Sequence, residues 1–171
     1  ALDVGQGQCL IYTADGETSV VDCGGAQDES GELAARYLET SGVFRVDRLI
    51  LTHPDADHCN GAAQLLSRIR VDVLYLPLPA IREDGAMLRT IREAAREAGT
   101  QIKFVREDTE FLTKDGCITI LGPDLRESGN NGGLCVLASH EKYDILITGD
   151  LSQNAEYRLL SRYDLQDVEL L

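Results

Sequence analysis

The stretch VDRLILTHPDADHCNGAAQLLSRIR, residues 46–70, decides the fold. Its first part, VDRLILT, is an apolar run of strand length that includes Val46, Ile50 and Thr52. Its last part, AAQLLSRIR, spaces Ala62, Leu65, Leu66 and Ile69 at helical intervals just beyond the Asn60-Gly61 turn signal. HPDADHCNG, between them, reads as a polar loop. Strand, loop and helix in this order are the unit of a layered α/β domain.

Toward the N-terminus, LDV, QCLIYTA and TSVVDCG are β-rich runs separated by Gly-Gln-Gly and Asp-Gly-Glu, which predicts an opening antiparallel meander. Leu33, Ala34, Tyr37 and Leu38 predict a first helix from Glu29 to Ser41, stopped by Gly42. Toward the C-terminus, VDVLYLPL is the next strand. Residues 84–98, with Met87, Leu88, Ile91, Ala94 and Ala95 on one stripe, predict an amphipathic helix ended by Gly99. QIKFV follows, then a hairpin of EFLTK and CITILG about Asp115-Gly116, then one of GLCVLAS and YDILITGD about His140-Glu141-Lys142. A helix from Gln153 to Arg162 and a final strand DVELL complete the pattern. Two groups of strands, each followed by helices, predict an α/β sandwich of mixed sheets with helices outside. A doubly wound parallel sheet fits less well, because hairpin turns are numerous and no Gly-x-Gly-x-x-Gly follows the first strand.

With 171 residues the chain suits one domain without a repeat, a linker or a second core. Its 43% hydrophobic and 26% charged residues exclude disorder and low complexity. The apolar stretch VDVLYLPLPAI is broken by Asp72, Pro77 and Pro79 and falls short of the roughly 20 residues that a bilayer demands. ALDVGQG lacks the basic and apolar regions of a signal peptide. An opening without Met and an ending on VELL read as a fragment of a longer chain. Twenty-nine acids against 16 bases give a net charge of −13, which excludes nonspecific coating of a polyanion unless cations or a local basic patch intervene. Five cysteines, at 9, 23, 59, 117 and 135, are odd in number and lack Cys-x-x-Cys spacing. They are read as buried thiols with room for one disulfide, not as a disulfide framework or zinc knot.

The chemistry concentrates in the loop. His53, Asp55, Asp57 and His58 place four metal-ligating side chains within six residues of a strand end. A strand end holds the backbone while a loop lets alternate side chains converge, as divalent ions require. The competing reading is a solvated helix-cap loop. Asp150 ends the apolar run DILITG; alone it reads as a helix N-cap, and beside the loop it becomes a fifth candidate ligand. Carboxylates among the donors favour manganese or magnesium more than an all-histidine site does, with zinc also accommodated. His140 sits at the opposite end of the strand that reaches Asp150, roughly 20 Å away at about 3.3 Å per residue, and is read as a surface histidine.

The loop THPDADHCNG resembles the H-x-H-x-D-H signature of the metallo-β-lactamase superfamily, with Asp55 in place of the middle histidine, and LITGD resembles that superfamily's bridging-aspartate motif. More narrowly, LDVGQG at 2–7, VDCGG at 21–25, NNGGLCVL at 130–137 and ILITGDLS at 145–152 are similar to the soluble hydrolase-like domain of ComEC-type competence proteins, which form DNA-uptake channels. The resemblance implies an αββα sandwich over residues 1–171 that lacks its last strands and helices. It also implies two divalent ions (manganese, zinc or magnesium), with His53 and Asp55 at one position, Asp57 and His58 at the other, and Asp150 bridging. All five side chains then converge on one cavity at the sandwich edge, with Asp57 as the catalytic residue that orients water. The implied activity is that of a phosphodiesterase or nuclease, with DNA as substrate. The implied setting is a soluble domain joined to the membrane channel of the same bacterial protein and facing outside the cytoplasm. The sequence departs from the pattern at Gln8, where the family carries aspartate, at Gly132 and Gly133, where it carries serine, and at Leu171, before an expected His-His-Gly-Ser motif. The absence of that downstream histidine predicts little tightly bound metal in this form. The departures support one rival, a noncatalytic binding or regulatory module; the second rival is a small-molecule hydrolase, because substrate class follows loops and appended domains more than the metal motif.

Overall fold

Turn chemistry and crossover helices sort the strands into two sheets in the computed structural model, which describes residues 1–26, 29–82, 85–165 and 168–171. Strands β1 (Leu10–Ala14) and β2 (Glu17–Val21) form an antiparallel hairpin whose turn residues, Asp15 and Gly16, both have positive φ (54° and 81°). That turn matches the right-handed twist of the paired strands. Helix α1 (Ser30–Thr40) then carries the chain to β3 (Arg45–Ile50). The short helix α2 (Ala56–Cys59) and α3 (Ala62–Arg68) lead to β4 (Arg70–Pro77), and α4 (Ala86–Glu97) leads to β5 (Gln101–Val105). Helical crossovers make β2 to β5 parallel, in the order β1-β2-β3-β4-β5. The second sheet, β6 (Thr109–Leu112), β7 (Gly116–Leu121), β8 (Cys135–His140) and β9 (Tyr143–Ile147), is antiparallel throughout, and α5 (Gln153–Arg162) follows it.

Buried side chains fill three gaps between layers. Val20, Leu49 and Leu74 of the first sheet pack with Leu38, Leu65 and Ile91 of α1, α3 and α4. Val21, Ile50, Tyr75 and Val105 face Ile118, Ile120, Val136 and Ile147 of the second sheet. Leu121, Cys135 and Leu146 pack with Leu159 of α5. The alternation of strand side chains thus supplies both inner faces, and the result is the αββα sandwich expected from the pattern.

Local differences have physical causes. LDV is not a strand: Leu2 and Val4 bond instead to Cys9 and Ala26, and Gly5 and Gly7 hold positive φ. HPDADHCNG contains the four residues of α2, too short to leave a periodic signal. DVELL reduces to one parallel bridge between Ile145 and Leu170; its first residue, Asp167, and the first residue of the helix expected from 84, lie outside the described residues. His140 ends β8 and is half-buried rather than a surface side chain, and its Nδ1 has no hydrogen-bond partner. All five cysteines are free, and strand alternation leaves Cys117 half-buried beside fully buried Ile118. No helix among the described residues is long and apolar enough to cross a membrane.

The register defines one functional edge. Val21 pairs with Ile50 in parallel, so Asp22 and the Leu51-Thr52-His53 segment leave the sheet at the same end. Val136 pairs with Ile147, and the Leu134 N–H donates to the Thr52 carbonyl at 2.8 Å, bringing the end of β9 to that edge from the other sheet.

Candidate metal centre

Asp22 organises the site. It is fully buried at the end of β2 in a left-handed conformation (φ 57°). Its Oδ1 accepts the Thr52 N–H at 2.7 Å, and its Oδ2 accepts the Thr52 hydroxyl at 2.7 Å and lies 2.7 Å from His58 Nδ1. A carboxylate only accepts, so the His58 proton sits on Nδ1 and leaves a lone pair on Nε2. The Thr52 hydroxyl spends its proton on Asp22 and therefore accepts from His53 Nδ1, 3.0 Å away. His53 Nε2 is thus also a bare lone pair, and it is buried without a hydrogen-bond partner. One carboxylate sets the tautomers of both imidazoles, which lie with ring centroids 4.1 Å apart.

The lone pairs face a shared point. Ligand atoms of His53, His58 and Asp150 all lie within 4.8 Å of one another, and His58 Nε2 is 3.3 Å from Asp150 Oδ1. Asp55 reaches His53 Nε2 at 3.7 Å. Neither Asp55 nor Asp57 is in the group of three; the Asp57 backbone carbonyl accepts the Gln8 N–H at 3.0 Å, and its charge acts on His58. Burial, then the neighbouring His58, lowers the His53 pKa. Burial also opposes charge on His58, but the hydrogen bond to Asp22 and the charges of Asp22, Asp150 and Asp57 outweigh it and raise its pKa.

Two glycines permit the close approach. A β-carbon on Gly24 would come within 2.4 Å of the His58 nitrogen, so the VDCGG turn lies directly on α2. Gly149 has φ 57°, and a β-carbon there would come within 2.9 Å of Thr52 Oγ1; only glycine lets the chain turn Asp150 toward the histidines. The LDVGQG segment is tied to the same loop, with the Gly24 N–H donating to the Gln8 carbonyl at 3.0 Å. The Gln8 side-chain oxygen is buried and unpartnered.

The profile of the metallo-beta-lactamase superfamily matches residues 2–170. The chain belongs to this superfamily. It is 27% identical to ComE operon protein 3 of Bacillus subtilis (strain 168), over 94% of this chain and 23% of that protein. It is 28% identical to competence protein ComA of Neisseria gonorrhoeae, over 94% of this chain and 21% of that protein. A metallo-beta-lactamase of Cronobacter sakazakii (HARLDQ motif mutant S60) shares the fold with a TM-score of 0.63 at 12% identity, over 95% of this chain and 70% of that one. The chain therefore spans less than a quarter of each of the curated relatives it matches.

Members of the superfamily hold divalent metal, and the residues of this chain fit such an ion. The orphaned His53 Nε2, the tautomer-locked His58 and the Asp150 carboxylate form a nitrogen and oxygen donor set of the kind first-row divalent ions take. Asp22 was the residue missed in the sequence. VDCGG is visible as a motif, but the role of its aspartate depends on the pairing of β2 with β3.

Proposed function

We propose that this domain is a metal-dependent phosphodiesterase acting on DNA, as part of a competence-type DNA-uptake protein. The observation that carries the reading is the convergence of two imidazole lone pairs and the Asp150 carboxylate, with both histidine tautomers set by buried Asp22. In this reading His53, His58 and Asp150 bind metal, Asp55 and Asp57 complete one or two positions, and Asp57 accepts a hydrogen bond from the attacking water. A bound divalent ion would supply Lewis acidity toward a phosphoryl oxygen and a water of lowered pKa. Similarity to competence protein ComA supports the DNA-uptake setting. We place the domain beside the membrane channel of its full-length protein, facing outside the cytoplasm.

The test is hydrolysis of single-stranded DNA and of a chromogenic phosphodiester by the purified protein with manganese, magnesium or zinc. Cleavage that Asp150→Asn abolishes supports the reading. No cleavage with any of the three ions overturns it. One observation favours a noncatalytic module instead: among the described residues three side chains converge, and neither Asp55 nor Asp57 is one of them. Metal and DNA binding without turnover is the result that module requires.

A further inference from the structure

A net charge of −13 makes any group of unpaired cations informative. A groove of about 460 Å³ runs between the 3-10 turn Leu78–Arg82 and the loop after β7. Leu78, Pro79, Ile81 and Leu125 give it apolar walls, and Arg82 and Arg106 line it with them. Ile81 is 53% exposed and Leu125 45%, so among the described residues nothing covers this apolar surface fully. Among the described residues neither arginine has an ion-pair or hydrogen-bond partner. Glu127 also lines the groove, but Arg158 holds its carboxylate at 3.1 Å. The arginines beside α5 differ: Arg126 is neutralised by Asp124, and Arg158 by Glu127.

The groove adjoins the metal centre. Glu127 and Ser128 are on its wall, and the same segment continues to Gly133, where a β-carbon would lie 2.9 Å from the Thr52 carbonyl and 3.5 Å from His53 Cβ.

We propose that this groove holds one nucleotide of a single polynucleotide strand, its base against the apolar walls and its flanking phosphates on Arg82 and Arg106. The volume lies within the roughly 300–1,000 Å³ of sites that take one small molecule, and a duplex does not fit it. A cationic groove that tracks the backbone is the electrostatic part of single-strand binding, and here Leu78, Pro79, Ile81 and Leu125 offer the unstacked base an aliphatic face in place of an aromatic one. The strand then leaves the groove along segment 127–134 toward His53. That last step rests on the phosphodiesterase reading; the binding does not.

The experiment is fluorescence anisotropy with labelled dT12 and a matched duplex, in EDTA, over a range of salt. The probes are the wild-type protein, the double variant R82A/R106A and R126A. Because the substituted arginines are exposed, melting temperatures should agree and certify folding. The expected result is preference for the single strand and at least about tenfold weaker binding by R82A/R106A. The slope of log affinity against log salt should fall by about 1.4, since each phosphate neutralised on a single strand contributes about 0.7. R126A should bind as wild type. Failure of the wild type to bind dT12, equal affinity for duplex, or unchanged binding by the double variant overturns the assignment. Hydrolysis of a chromogenic phosphodiester separates the two readings. Hydrolysis without strand binding removes the groove alone, and strand binding without hydrolysis removes the phosphodiesterase reading and leaves the groove.

Discussion

Replacing Asp22 with Asn tests the organisation of the site, because it changes the hydrogen-bonding logic while keeping the shape. Asparagine tolerates the left-handed backbone at φ 57° as aspartate does, so the substitution adds little strain. Three donors now converge on one carboxylate: the Thr52 N–H, the Thr52 hydroxyl and His58 Nδ1, each at 2.7 Å. An asparagine offers one accepting oxygen and presents N–H groups at the other position. If that oxygen keeps the Thr52 N–H, the amide N–H faces Thr52 Oγ1 and His58 Nδ1. His58 must then accept at Nδ1 and carry its proton on Nε2, which removes the lone pair aimed at Asp150. Loss of such a supporting carboxylate costs about 10- to 100-fold in metal affinity, equivalent to about 1.4 to 2.7 kcal/mol. The assay is titration of the chelator-stripped protein with zinc or manganese against a competing dye, alongside thermal melting without metal. The expected result is metal affinity at least about tenfold weaker in Asp22→Asn with a cooperative melt retained. Wild-type affinity in a folded Asp22→Asn protein refutes the tautomer argument.

Other perturbations probe the surrounding structure. Gly149→Ala forces a β-carbon into the left-handed region against Thr52 Oγ1 and should cost about 1–3 kcal/mol, read as a lower melting temperature; an unchanged melt would mean that the Thr52 contact yields freely. Brief iodoacetamide treatment at pH 8 followed by peptide mass spectrometry should modify Cys117 first, because the other four thiols are buried and burial pushes Cys135 up to about 12; earlier labelling of Cys135 contradicts this packing. The Arg45 guanidinium beside Asp72 holds its carboxyl below the usual carboxylate range, so its contribution to stability is complete above the unfolded pKa near 4 and is lost as pH falls through the lower folded value. Melting temperature should therefore drop on acidification below about pH 4, and Asp72→Asn should show a shallower drop; identical acid limbs would exclude that ion pair as a contributor.

The parts of this fold that rest on local chemistry were legible in the sequence. The stripe of Leu88, Ile91 and Ala95 marks α4, and the turn at Asp115-Gly116 marks the β6–β7 hairpin, because periodicity and turn residues act over a few positions. His53 and Asp150 were legible as candidates for the same reason, since each follows or ends an apolar run that must be a strand, and His58 was legible from its place five residues after His53 in the same polar segment. What escaped depends on contacts distant in sequence. LDV has the alternation of a strand, yet its Leu2 and Val4 are spent on bonds to Cys9 and Ala26. Asp22 acquires its role only when β3 lies beside β2 and delivers Thr52, 30 residues away. Asp55 and Asp57 looked equivalent to the histidines along the chain, but neither is in the group of His53, His58 and Asp150: Asp55 lies 3.7 Å from His53 Nε2, and the Asp57 backbone carbonyl is bonded to the Gln8 N–H.

Anomalous diffraction from crystals equilibrated with manganese or zinc tests the central claim most directly. The account predicts a peak within about 2.0–2.3 Å of His53 Nε2, His58 Nε2 and an Asp150 carboxylate oxygen, with Asp22 still on His58 Nδ1. A peak bound through Nδ1 of either histidine, or ordered metal sites elsewhere with this cluster left open at saturating ion, would contradict it.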